Sequence, residues 1–276
     1  MPKQFLFTVL AAALTFGVLT GCGEKSESSG KAEKSEKSEK SEESKPLPPL
    51  DMKLIAGHEA RGIEFSEDKR TLVKFNKDLD VAEYAIPSGV TTIDDAAFAG
   101  CENLKSVTIP SGVTTIGDSA FAHCDNLTSV TIPSGVTTIG KGAFGGCESL
   151  TSVTIPSGVT TIGNAAFACC TSLTSVTIPS GVTTIGKWAF SGCTSLTSVT
   201  IPSSVTTIGE VAFARCESLT SVTIPSGVTT IGRNAFWGCS SMKSVTIPED
   251  VYTIGKNAFA GCPCEDSVKK QFPGYR

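Results

Sequence analysis

Between residues 86 and 262 the apolar positions recur with a period of 23 and a fixed internal order. Around Leu173 they are Leu173, Val176, Ile178, Val182, Ile185, Ala189, Phe190 and Cys193, and Leu196 opens the next unit. Ser175-Val176-Thr177-Ile178 alternates, with Val176 and Ile178 on one side and Ser175 and Thr177 on the other, the period of a half-buried strand. Pro179 ends that strand, because proline has no N–H to give to a parallel ladder. Pro179-Ser180-Gly181 suits a type I turn with proline second and glycine fourth. Ser204 and Asp250 at the glycine position make glycine favoured there but not obligatory. A second short extended piece, Val182 to Ile185, is followed by glycine in seven units and by Asp94 in the first. Both types are acceptable N-caps, so the next stretch, such as 187–193, is expected to open a short helix or helical turn with Ala189 and Phe190 facing the core.

A unit of this size cannot bury its own apolar side, whereas stacked units share one continuous core, and three or more are needed. Prolines at 87, 110, 133, 156, 179, 202, 225 and 248 mark eight units. The chain is therefore expected to be a repeat solenoid with parallel strands and short helical turns. With strands about 4.8 Å apart the array is roughly 40 Å long. One stretch, SVTIPSGVTTIG, stands verbatim at 106–117, 129–140, 152–163, 175–186 and 221–232, and at 198–209 with Ser204 in place of glycine. Such fidelity suits a surface or a scaffold better than a catalytic site, which needs a few groups held once.

The flanks read as end-plugs, which solenoids need for solubility. In the N-terminal cap, 51–85, two alternating runs surround Glu67-Asp68-Lys69-Arg70, a hairpin pattern over 61–75. In the C-terminal cap, 263–276, acids precede lysines and Val268 stands four before Phe272, the pattern of a short amphipathic helix stopped by Pro273.

The first 22 residues read as a secretory signal, with Lys3 as the positive region and an apolar run from Phe5 to about Leu19, too short for a transmembrane anchor. Leu19-Thr20-Gly21-Cys22 resembles the bacterial lipobox, which implies that Cys22 is lipidated and becomes the new N-terminus. Residues 23–50 contain six lysines and seven glutamates and are almost free of apolar side chains, so they form a solvated tether. The protein is expected to be exported and lipid-anchored to the bacterial envelope. Gly23 lacks the aspartate associated with inner-membrane retention, which points to the surface or outer membrane.

The pattern L-x-x-V-x-I-P, with a cysteine in the following turn, resembles leucine-rich repeats. The 23-residue form IPxGVxxIGxxAFxxC resembles the BspA-like class of bacterial surface proteins and covers 86–262 in full. The resemblance implies a right-handed leucine-rich repeat coil with a strand-lined concave face. It also implies a lipid-anchored or secreted protein that binds host or neighbouring-cell macromolecules. Its motif residues are structural, and no particular ligand carries over. The hairpin at 61–75 resembles the degenerate N-terminal unit of this class.

Charge and chemistry narrow the picture further. The formal net charge of −4, with both signs mixed, provides no basic footprint, so nucleic acid is not an expected partner. Of eleven cysteines, Cys101, Cys124, Cys147, Cys170, Cys193, Cys216, Cys239 and Cys262 share one phase of the repeat. Stacked with parallel Cβ vectors they are poorly disposed to bridge, so a buried thiol ladder is expected, with Cys169 and Cys264 as the thiols to react or to bridge. His58 and His123 have no partner at metal-ligand spacing, and Cys262-Pro263-Cys264 is too short for a zinc knuckle. Asp94-Asp95 reads as a helix start. No serine sits in a nucleophile elbow, so neither an enzyme nor a cofactor is implied.

The remaining signal is the polar side of the strands: Ser106 and Thr108, Ser129 and Thr131, Ser152 and Thr154, Ser175 and Thr177, Ser198 and Thr200, Ser221 and Thr223, and Ser244 and Thr246 form two hydroxyl columns. Hydroxylated β-branched residues suit any solvated strand, which fits a passive spacer. The same columns suit a ligand face for an extended extracellular protein or glycan, as in adhesion. A third reading is an ice or glycan-lattice surface, weakened because leucine-rich arrays curve. The units differ most at the turn, where Trp188 and Trp237 stand as contact anchors or as local packing.

Overall fold

The computed structural model describes residues 48–275. The signal segment, Cys22 and nearly all of the tether lie outside the described residues. The N-terminal cap begins with α1 (Met52–Glu59), whose first turn is closed by the Asp51 carboxylate accepting from the Leu54 N–H at 3.0 Å. Ile55 and His58 point inward from it. This helix was not expected from the sequence. Strands β1 (Glu64–Phe65) and β2 (Thr71–Lys74) then pair antiparallel.

From there the chain coils. Strand β3 (Glu83–Ala85) aligns in parallel with Ser106–Thr108, and β2 aligns with β4 (Thr92–Ile93), so that Leu72 stands beside Ile93. The cap is thus itself a degenerate coil on which the first repeat is laid. Eight coils follow, and equivalent residues pair throughout: Val176 aligns with Val153 and Val199, and Ile185 with Ile162 and Ile208. The strands line two sides of the coil, parallel throughout except where β1 meets β2. One is unbroken over ten strands, from β1 and β2 to Thr253–Ile254. The other runs over six strands from β3 to Ser198–Thr200, with Ser221–Thr223 and Ser244–Thr246 as a separate pair.

The third side of each coil departs from the expected helical turn. At 187–193, N–H groups alternate in direction. Trp188, Phe190 and Gly192 donate to Glu210, Ala212 and Ala214 of the next coil at 2.8 to 2.9 Å. Ala189, Ser191 and Cys193 donate three residues back. The alternation requires left-handed residues at Trp188 (φ 57°) and Gly192 (φ 75°). A helix would satisfy its N–H groups along its own axis and leave the neighbouring coil unpaired, so stacking prevails over local helix formation.

Two further expectations are corrected. The Val182 N–H donates to the Pro179 carbonyl at 3.1 Å, so the turn starts at the proline and glycine is its third residue. The glycine after Ile185 is no N-cap. A Cβ on Gly186 would stand 2.8 Å from the carbonyl carbon and oxygen of Gly163, so the column is glycine because backbones of adjacent coils meet there. Asp94 occupies that position only in the first unit, against the degenerate coil.

The core is a single stack. Phe98, Phe121, Phe144, Phe167, Phe190, Phe213, Phe236 and Phe259 are fully buried, with centroids 4.8 to 5.4 Å apart and planes within 8° of parallel. Valine, isoleucine and leucine columns surround it in one continuous cluster. At the C-terminal end lies α2 (Glu265–Gln271), with Val268 buried and a Glu265–Lys269 ion pair at 2.9 Å.

Candidate ligand-binding face

Each Ser-Val-Thr strand turns its valine inward, which sends the flanking hydroxyls out. Ser129, Thr131, Ser152, Thr154, Ser175, Thr177, Ser198, Thr200, Ser221, Thr223, Ser244, Thr246 and Thr108 are exposed, and Ser106 is half-buried. They form two columns, interrupted in backbone pairing between Ser198–Thr200 and Ser221–Thr223. The neighbouring threonines are committed elsewhere: Thr151, Thr174 and Thr197 each donate through Oγ1 to the carbonyl of the equivalent threonine one coil back, at 3.1 to 3.3 Å. Ser175 and Thr177 hydroxyls make no such bond among the described residues, so their donor and acceptor capacity stays open to solvent or a ligand.

The ten-stranded sheet carries a hydroxyl column that sequence reasoning missed. Thr115, Thr138, Thr161 and Thr184 are exposed, and Thr207 and Thr230 are half-buried. The signal was present, since Thr184-Ile185 alternates as Thr177-Ile178 does, but a two-residue strand is too short to stand out. Beside this column the glycines leave a trough. Between Thr184, Thr207 and Thr230 on one side and Asn164, Lys187 and Glu210 on the other it holds about 330 Å³.

All ten cysteines among the described residues are free thiols. From Cys124 to Cys262 each Sγ of the repeated column donates to a phenylalanine carbonyl 26 residues earlier, as Cys193 does to Phe167 at 3.2 Å. Cys101 is buried at the head of the column. Burial pushes the Cys147 thiol up to about 12 and holds Cys170, Cys193 and Cys216 well above their ordinary value. Thiols of this kind are neither nucleophiles nor metal ligands near neutral pH. Cys264, expected to be reactive, is instead buried in the C-terminal cap, whereas Cys169 is exposed.

The other candidates have structural partners. His58 is buried edge-on to Tyr84, with ring centroids 5.2 Å apart. His123 is exposed at φ 56°. Among the described residues no three histidines, cysteines or carboxylates converge as a metal site. Asp95 starts no helix; its Oδ1 accepts from the Asp118 N–H at 2.7 Å, and Asp118 Oδ1 in turn accepts from the Lys141 N–H at 2.7 Å. Trp188 and Trp237 stand out on the turn side, 49% and 42% exposed, with the Arg215 guanidinium 5.4 Å from the Trp237 ring centroid.

Comparison with known proteins agrees with this architecture. The model of the BspA type leucine-rich repeat region matches residues 73–193 and 160–270, in six copies. A leucine-rich repeat protein from Bacteroides ovatus is 31% identical with a TM-score of 0.67, over 72% of this chain and 55% of that one. One from Eubacterium ventriosum is 30% identical with a TM-score of 0.52, over 73% of this chain and 48% of that one. The T. pallidum leucine-rich repeat protein is 28% identical with a TM-score of 0.56, over 78% and 93%. The chain spans about half the length of the first two. No curated protein matches it. With its model matched across nearly all of the coil, this chain belongs to the BspA-type leucine-rich repeat family.

Proposed function

We propose that this chain is a cell-surface protein, lipid-anchored through Cys22, that binds a macromolecule through its Ser-Val-Thr face in adhesion to host or neighbouring cells. The observation carrying this reading is the pair of hydroxyl columns, exposed and in register beside a threonine column whose hydroxyls are already spent on the fold. Serine and threonine side chains are short, and a rigid sheet has already fixed their backbone. Little conformational entropy is therefore left to lose on binding, and many weak contacts add along the axis. The face has hydroxyls where a charge-driven site would have lysines or carboxylates, which favours an extended protein or glycan.

The lipobox at 19–22 and the charged tether at 23–50 support the anchoring half of the proposal, since together they hold a module off a membrane at a reach of roughly 30 Å root-mean-square. Metabolic labelling with palmitate tests it. The full chain takes up label and fractionates with membranes, and Cys22→Ala abolishes both; uptake unchanged in that variant contradicts the anchor. For binding, the full chain is tested for saturable retention on matrix proteins, mucins and cell-wall glycans, and absence of retention on all of them favours a passive spacer.

A further inference from the structure

The last coil departs from the repeat at one corner. Glu249 and Tyr252 stand where every other coil has serine and threonine, and Asp250 stands where the others have glycine or Ser204. The threonine has a structural use, since Thr206 and Thr229 each donate through Oγ1 to the carbonyl of the equivalent threonine one coil back at 3.3 Å. Tyr252 gives that bond up and is 82% exposed, more than any other large apolar side chain among the described residues. Beside it, Thr253–Ile254 is the last strand of the ten-stranded sheet. At its far end this sheet finishes on β1, whose register with β2 shifts between Glu64 and Phe65, an irregularity that blunts an edge. Thr253–Ile254 is left open. Ile254 is half-buried where Ile185, Ile208 and Ile231 are fully buried, and an open cavity of about 440 Å³ lies between residues 251–254 and 271–275.

We infer that this corner docks an extended peptide segment of a partner protein, which adds to Thr253–Ile254 as a further parallel strand. Along the sheet the carbonyls of each coil receive the next: Thr229 accepts from the Thr253 N–H at 3.2 Å, and Ile231 from the Gly255 N–H at 2.8 Å. The equivalent carbonyls of Tyr252 and Ile254 have no partner among the described residues. With Thr253 and Gly255 turned to the previous coil, the Ile254 N–H between them points out as well. These groups keep the slant of a parallel ladder, so a parallel strand meets them without rearrangement. The flanks define its chemistry. Glu249 and Asp250 precede the strand and Lys256 follows it, all exposed and none in an ion pair among the described residues. A complementary parallel peptide therefore carries lysine or arginine first, β-branched residues at its centre and a carboxylate last. Alternate central side chains enter the cavity beside Ile254 and Phe272, and the Tyr252 ring packs against the added strand. α2 and Tyr275 cap the end of the coil, so a second solenoid cannot seat flush on it, whereas a single strand can.

The probe is a fluorescein-labelled, C-terminally amidated peptide, Lys-Lys-Val-Thr-Val-Ile-Gly-Glu, titrated with the full chain by fluorescence anisotropy. Amide exchange of the full chain is followed with and without the peptide. Expected are saturable binding and slowed exchange at Ile254, with the middle coils unchanged. Tyr252→Thr, which restores the residue of every other coil, is expected to weaken binding about tenfold with the circular dichroism unchanged. The peptide of reversed order, Glu-Gly-Ile-Val-Thr-Val-Lys-Lys, is expected to bind about tenfold more weakly, because it sets like charges together in the parallel register. Thr177→Lys leaves this binding intact even if it abolishes binding at the Ser-Val-Thr face, so the failure of one site is told from the failure of the other. The inference is overturned if the peptide does not bind, if it binds without slowing exchange at Ile254, or if Tyr252→Thr or the reversed peptide binds as tightly. It is equally overturned if analytical ultracentrifugation finds self-association that Tyr252→Thr abolishes, which would give the corner to a second copy.

Discussion

The Tyr275 hydroxyl accepts the Phe259 backbone N–H at 2.7 Å, and the Tyr275 ring meets the Phe259 ring edge-on with centroids 6.2 Å apart. In every earlier coil that N–H goes to a carbonyl of the following coil, as Phe236 donates to Ala258 at 2.7 Å. Tyr275 therefore stands in for a ninth coil. Glu265 does the same for Gly261, whose N–H it accepts at 3.1 Å. Tyr275→Phe keeps the ring but orphans a buried donor, and is expected to cost about 1–3 kcal/mol. Hydrogen exchange of the last coil checks it: protection at Phe259 falls first, and equal loss along the whole array would contradict the capping role.

The two glycine columns predict opposite tolerances. Gly186→Ala pushes a Cβ against the Gly163 backbone at 2.8 Å and is expected to destabilise by about 1–3 kcal/mol. Gly181→Ser is expected to stay within about 1 kcal/mol of the parent. Ser204 already holds the equivalent place in the next coil, with its hydroxyl donating to Val182 at 2.7 Å. Denaturant midpoints of the two variants decide it, and equal losses would contradict the close-approach argument.

The thiol ladder makes stability fall in alkali. Folded Cys147, Cys170, Cys193 and Cys216 stay protonated far above 9.0, near which their unfolded counterparts ionise. Above that pH the unfolded chain binds fewer protons than the folded one, so stability present below about pH 9 is lost as pH rises. Each such thiol contributes about 1.4 kcal/mol per pH unit to the loss. Denaturant melts from pH 8 to 10.5 should fall steeply, and Cys193→Ala should flatten the slope by one thiol's share. A slope unchanged in that variant would contradict the assignment.

At the other end, acid loosens the N-terminal cap. Burial, and then the charge of Arg61, hold His58 below its ordinary 6.5. Its Nδ1 is buried without a hydrogen-bond partner, against Tyr84. As pH falls below 6.5 the unfolded imidazole takes up a proton before the folded one, so stability present above that value is lost. Amide exchange over 52–63 should accelerate between pH 7 and 5 more than exchange in the middle coils. His58→Gln should remove the difference, and its persistence would show that another group is responsible.

How much was legible in the sequence follows the range of the forces involved. Val176 and Ile178 revealed their strand because the alternation is local, and the repeat revealed the stacking because one coil cannot bury Phe190 alone. Gly186 was misread as a cap because its true constraint, the backbone of Gly163, lies 23 residues away in sequence and in contact only once the coils stack. The turn at 187–193 looked helical for the same reason: its N–H partners belong to the next coil. α1 was missed because Asp51 is a lone N-cap signal beside a stronger hairpin pattern. On the strand face, the outward direction of Ser175 and Thr177 followed from the alternation, whereas the commitment of Thr174 to Thr151 required the stacked coils.

The central claim, that the Ser-Val-Thr face is where a macromolecule docks, is tested most directly by placing a bulky charge on each face in turn. A ligand retained by the full chain should be lost with Thr177→Lys or Thr200→Lys and kept with Thr184→Lys on the ten-stranded sheet, all three folded alike by circular dichroism. Retention lost with Thr184→Lys and kept with the other two would contradict the account.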